Sequence, residues 1–87
     1  MTKNELSQLY WLKRECKAFP ERAAKLTPEI ERIEAWIDGI PDSMLRQAFT
    51  YRYKYRMRWD AVAARIGGGN TANGILTACK RYLNKQK

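Results

Sequence analysis

Between its few breakers this chain repeats apolar residues at three- and four-residue spacing, a period that only helices can use. The clearest case lies near the C-terminus. Ile75, Ala78, Cys79, Tyr82 and Leu83 fall at i, i+3, i+4, i+7 and i+8, a complete one-sided stripe. Gly67-Gly68-Gly69-Asn70 before it reads as a turn, because glycine accepts positive φ and ends helices. Thr71 can cap the helix that follows. Ahead of the turn, Trp59, Val62, Ala63 and Ile66 share one face of a short helix.

The N-terminal half has the same grammar. From Lys3 to about Ala18, Leu6, Leu9, Tyr10 and Cys16 make a helical stripe widened by Trp11 and Leu12. Phe19-Pro20 interrupts it, since proline disfavours helical geometry in the residue before it. Pro20 can itself open a turn through Ala23, Ala24 and Leu26, so a kinked helix and two consecutive helices both fit. Thr27-Pro28-Glu29 is a clearer start: Thr27 as cap, Pro28 at the first helical position, Glu29 and Glu31 complementing the helix dipole. Ile30, Ile33, Ile37 and Ile40 then recur with Trp36 alongside, until Gly39 and Pro41 end the helix. Asp42 or Ser43 caps a third helix with Met44, Leu45, Ala48, Phe49, Tyr53 and Met57 inward. Tyr51, Tyr53 and Tyr55 alternate with cations through Arg58. Such alternation suits a strand, but a helix end followed by a basic turn is the preferred reading.

Charge divides the chain at the same place as its helices. Residues 1–42 hold seven Lys/Arg and eight Asp/Glu, a net of −1. Residues 43–87 hold ten Lys/Arg and a single acid, Asp60, a net of +9. A folded segment with that balance attracts polyanions and speeds their encounter, so nucleic acid is the first partner to consider.

Other classes find little support. No histidine occurs, which removes the usual general base and the commonest metal ligand. Cys16 and Cys79 form no CxxC pair and sit on apolar faces, so neither a metal nor a cofactor is expected, and the protein is not read as an enzyme. Gly67-Gly68-Gly69 lacks the lysine and hydroxyl of a P-loop. No apolar run is long enough to span a bilayer, and the opening Met-Thr-Lys-Asn-Glu-Leu lacks the features of a signal peptide. A cytoplasmic protein with no membrane partner is the expectation. At 87 residues and 45 % hydrophobic content, one small helical domain is within reach.

Two short helices divided by a glycine turn, the second polar and basic on its outside, fit a helix-turn-helix. Ala63 is small enough for a close crossing, Gly67 turns the chain, and Ile75 and Ala78 pack back under the first helix. Thr71, Asn73, Thr77, Lys80 and Arg81 are then the candidates for groove contacts, with Asn84 on the same side, because Asn and Arg can pair with base edges. Arg52, Lys54, Arg56, Arg58, Arg65, Lys85 and Lys87 are the candidates for phosphates. Gly74 either permits close approach to DNA or simply fits the packing. The expected architecture is all-α: an amphipathic hairpin over residues 1–41, for packing or oligomerisation, and a basic helix-turn-helix module over 42–87, joined in one domain.

Asp42, Leu45-Arg46, Arg52-Tyr53, Trp59, Ala63, Ile66-Gly67-Gly68 and Arg81-Tyr82-Leu83 together resemble a family: the small helix-turn-helix proteins of bacteriophages and prophages in Gram-positive bacteria. These are similar to region 4 of bacterial sigma factors and include RinA-type and ArpU-type regulators of late phage genes. The segment from Glu5-Leu6 to Glu15 also looks like their helical leader. The resemblance implies sequence-specific binding of double-stranded DNA in transcription regulation. Gly68-Gly69 lengthens the turn relative to the compact helix-turn-helix of many repressors. Arg58 stands where a capping serine is often found, trading a hydroxyl for a cation.

Two alternatives stay open. A phage terminase small subunit or other packaging protein also joins a helix-turn-helix to an oligomerising helical segment. An adaptor could instead bring its basic face to RNA polymerase or an acidic host protein. The Ile30, Ile33, Ile37, Ile40 stripe, on a nearly neutral segment, suggests a homodimer through the N-terminal helices, unless it buries against the basic half.

Overall fold

A computed structural model of the chain describes residues 1–85, and these are all-α. The first helix, α1 (Lys3–Ala18), starts on a reciprocal cap: Thr2 Oγ1 accepts from the Glu5 amide at 3.1 Å while Glu5 accepts from the Thr2 amide. Two of the free amides at the helix start are satisfied this way. Phe19-Pro20 ends α1, and a single 3₁₀ turn, Pro20–Arg22, leads directly into α2 (Ala23–Asp38). Proline therefore splits two helices here.

The expected start at Thr27-Pro28 is corrected: both lie inside α2. Pro20 supplies the preset φ that opens the turn, and helical geometry is already running when the chain reaches Thr27. The Thr27 hydroxyl donates back to the Ala23 carbonyl at 2.6 Å and caps nothing. Pro28 has no N–H for the Ala24 carbonyl, but Ala24 is exposed, so water can take its place.

Asp42 Oδ1 accepts from the Leu45 amide at 2.9 Å and caps α3 (Ser43–Phe49). The chain then widens into a π-helical turn, Thr50–Lys54, closed by the Tyr55 amide on the Thr50 carbonyl. Residues 55–58 form a turn with Arg56 at φ +53, and α4 (Trp59–Ile66) and α5 (Ala72–Lys85) follow. No strand forms at the Tyr/Arg alternation. Tyr53 turns into the core, while Tyr51, half-buried against that core, and the exposed Tyr55 tilt against each other at 6.3 Å. Gly67, Gly68 and Gly69 all take positive φ. Gly67, at φ +71 and ψ −152, occupies a region that essentially only glycine enters.

One core runs through all five helices. Leu6 and Leu9 of α1 meet Ile30, Ile33 and Ile37 of α2, and the same cluster continues through Ile40, Ala48, Phe49, Val62, Ile75 and Cys79. Phe49 is its hub, fully buried, with Trp36 of α2 at 5.5 Å, Tyr53 at 5.8 Å and Tyr82 of α5 at 6.0 Å between ring centroids. Edge-on and offset contacts at these distances add to the area the rings bury. The N-terminal helices are thus tied to the basic half through aromatic packing. The four isoleucines from which self-association was inferred are buried in the chain's own core, leaving no isoleucine seam for a partner. On the surface, Lys13–Glu34 and Arg32–Glu5 bridge α1 to α2. No helix among the described residues is long and apolar enough to cross a membrane.

Candidate nucleic-acid interface

α5 is positioned at both ends of its connection to α4. The Gly67 amide donates to the Ala63 carbonyl at 2.9 Å, closing α4, and Asn70 Nδ2 donates to the Gly67 carbonyl at 2.8 Å, holding the turn. Thr71 then caps α5, its Oγ1 accepting from the Gly74 amide at 3.1 Å. A Cβ at Gly74 would lie 3.1 Å from that hydroxyl oxygen, so the glycine makes room for the cap. Thr71 is consequently occupied in starting the helix it was expected to help read with.

Ile75 and Cys79 anchor α5 in the core, with Ala78, Tyr82 and Leu83 half-buried beside them. Burial pushes the Cys79 thiol up to about 12, so it stays protonated and serves as packing. At 3.6 residues per turn, Asn73, Thr77, Lys80, Arg81 and Asn84 fall on the opposite side, and all are exposed. Among the described residues none of these side chains makes a hydrogen bond or ion pair. This is a polar and cationic stripe about three turns long, presented to solvent.

The cations ahead of α5 divide into two groups. Arg52 Nη1 donates to the Met57 carbonyl at 3.0 Å, and its guanidinium lies 5.0 Å over the Trp59 ring. Lys54 pairs with Asp38 at 2.9 Å, with its side chain only 19 % exposed. Arg56 lies across α1, 4.3 Å from the Tyr10 ring centroid and 5.0 Å from that of Trp11. These three hold the fold together as much as they face outward. Arg58 and Arg65 are exposed: Arg58 has only a loose 3.6 Å contact with Asp60, and Arg65 sits 5.6 Å over Tyr51. Arg58 starts α4 with no side-chain cap, as its place in the sequence suggested. Lys85 is exposed at the end of α5, and Lys87 lies outside the described residues.

The spacing puts Tyr10 on the inward stripe of α1, with Trp11 widening it. Trp11 is instead half exposed, and both rings border the arginines of residues 52–58. Arg14 donates to the Tyr10 hydroxyl at 3.2 Å and, with Arg56 alongside, holds the phenol below its usual range. The signal was present: Trp11 follows Leu9 by two positions, off the three- and four-residue spacing of Leu6 and Leu9.

No protein-family model, curated protein or solved structure matches this chain.

Proposed function

We propose that this chain binds double-stranded DNA through a helix-turn-helix made by α4 and α5, with α1 and α2 as a supporting hairpin. α5 enters the major groove, and the protein acts as a transcriptional regulator of the phage and prophage kind its sequence resembles. The observation that carries this reading is the outer stripe of α5. Asn73, Thr77, Lys80 and Arg81 stand exposed and uncommitted on a helix whose other side is locked into the core. Asn and Arg can each make paired hydrogen bonds to a base edge, and the lysine can reach bases or phosphates. Arg58, Arg65 and Lys85 supply positioning contacts from the exposed surface around it.

The test is selection of a preferred duplex from a random pool, followed by affinities of Asn73→Ala and Arg81→Ala for the selected and a scrambled site. A lost base contact removes roughly 1–3 kcal/mol of discrimination, so each variant should narrow the ratio about fivefold or more. Neither residue is buried, so both variants should keep wild-type stability. If both fold and leave the ratio intact, α5 is not the reading helix.

A further inference from the structure

A groove of about 330 Å³ lies between α1 and residues 52–58. Arg52, Arg56 and Arg58 line it from one side and Ser7, Tyr10 and Trp11 from the other, with no carboxylate in its lining. Asp60, outside the lining, makes only a loose 3.6 Å contact with Arg58, so the three guanidiniums set a local field that selects an anion. A bare phosphate would use only part of the space, because the volume is at the low end of the roughly 300–1,000 Å³ of small-molecule sites. The opposite wall is aromatic, and the half-exposed indole of Trp11 is a surface on which a planar ring can stack. Arg56 reaches into the groove beside these rings, 4.3 Å from the Tyr10 centroid and 5.0 Å from that of Trp11, and the residue is exposed. Arg56 adopts φ +53 to lie there, a conformation unusual for a non-glycine residue.

We propose that this groove binds an unpaired nucleotide, its base stacked on the exposed part of the Trp11 indole and its phosphate held by Arg56 and Arg58. An acidic peptide would leave the aromatic wall unused, and a base kept in a duplex stack cannot present its face to Trp11. Arg58 alone is shared with the proposed duplex contacts, and none of the lining residues lies on the outer stripe of α5, so the stacking site does not depend on the duplex reading.

The experiment uses the full chain and fluorescence anisotropy with a labelled oligothymidylate, beside an abasic oligomer of the same length. Wild type should bind the oligothymidylate more tightly than the abasic strand. Trp11→Ala should weaken the oligothymidylate about tenfold, within the range for stacking one base on an aromatic ring. The same variant should leave the abasic strand and random duplex at wild-type affinity, and Trp11→Phe should restore most of the loss. Arg56→Ala should weaken both single strands. Competition by thymidine monophosphate, nucleotide for nucleotide, would assign the site to a free nucleotide; competition by the strand alone would assign it to nucleic acid. The proposal is overturned if wild type does not distinguish the two strands, if Trp11→Ala weakens them equally or not at all, or if polyglutamate displaces oligothymidylate as effectively as unlabelled strand does. A failure of α5-dependent duplex binding would leave these outcomes readable.

Discussion

The structure sorts the basic half into free and committed cations, and salt dependence can tell them apart. Arg58, Arg65, Lys80, Arg81 and Lys85 are exposed, the first with only a loose acid neighbour at 3.6 Å. Lys54 is already neutralised by Asp38 at 2.9 Å, and Arg46 and Arg52 donate to the carbonyls of Ile40 and Met57. A cation contributes to the salt slope only when it replaces condensed counterions on a phosphate. Four such contacts, from Arg58, Arg65, Lys80 and Lys85, at about 0.9 each, give a log–log slope near −3.6, or about a 150-fold loss of affinity between about 50 and 200 mM salt. Random duplex is the right probe because phosphate contacts do not depend on sequence. Lys80→Ala and Lys85→Ala should each make the slope shallower by about 0.9. Lys54→Ala should leave it unchanged, at a stability cost of roughly 0–1 kcal/mol for the lost surface pair. Equal flattening by Lys54→Ala and Lys80→Ala, or almost no salt dependence in wild type, would refute this division of the cations.

Phe49→Ala should cost about 3–5 kcal/mol in urea unfolding, because the ring is fully buried against Trp36, Tyr53 and Tyr82. Far-UV circular dichroism and tryptophan fluorescence of wild type should follow one transition; two separate transitions would show that the halves fold independently. The Arg32 guanidinium, hydrogen-bonded to both Glu5 and Glu29, holds both carboxyls below the ordinary 4.5. Their pairing therefore stabilises the protein above that value and is lost as pH falls from it toward the lowered folded values. Thermal midpoints of Arg32→Met should vary less with pH across that window than those of wild type, and coincident profiles would refute the linkage.

Features set within one helix were readable from the sequence. The stripe of α5 needs only the spacing of Ile75, Ala78, Cys79 and Tyr82, and its boundary needs only Thr71 and the three glycines. The Asp42 cap and the ends of α1 and α4 are local in the same sense. The Thr2/Glu5 cap was equally local and equally visible, as a threonine followed three residues later by a glutamate. The start of α2 was misread for a different reason. Thr27-Pro28-Glu29 has the composition of a helix start, but a cap needs a non-helical residue, and Pro20 had already set the chain turning. Two local signals competed, and the earlier one in the chain prevailed.

The basic surface was only half readable, because charge is a property of composition whereas availability depends on partners distant in sequence. Asp38, which neutralises Lys54, lies 16 positions away, and the rings that hold Arg56 lie more than forty positions away in α1. Neither pairing leaves a mark in the periodicity of residues 50–58. The same docking brings Tyr10 and Trp11 of the neutral half to the edge of the arginine cluster, where no count of charges would place them. A boundary drawn at residue 42 from charge alone therefore separates residues that the core joins: Trp36 with Phe49, Tyr10 with Arg56, Asp38 with Lys54. Removing residues 1–41 would expose Phe49, strip the aromatic support from Arg56 and release Lys54. The N-terminal helices thus help determine which cations remain free for an anionic partner.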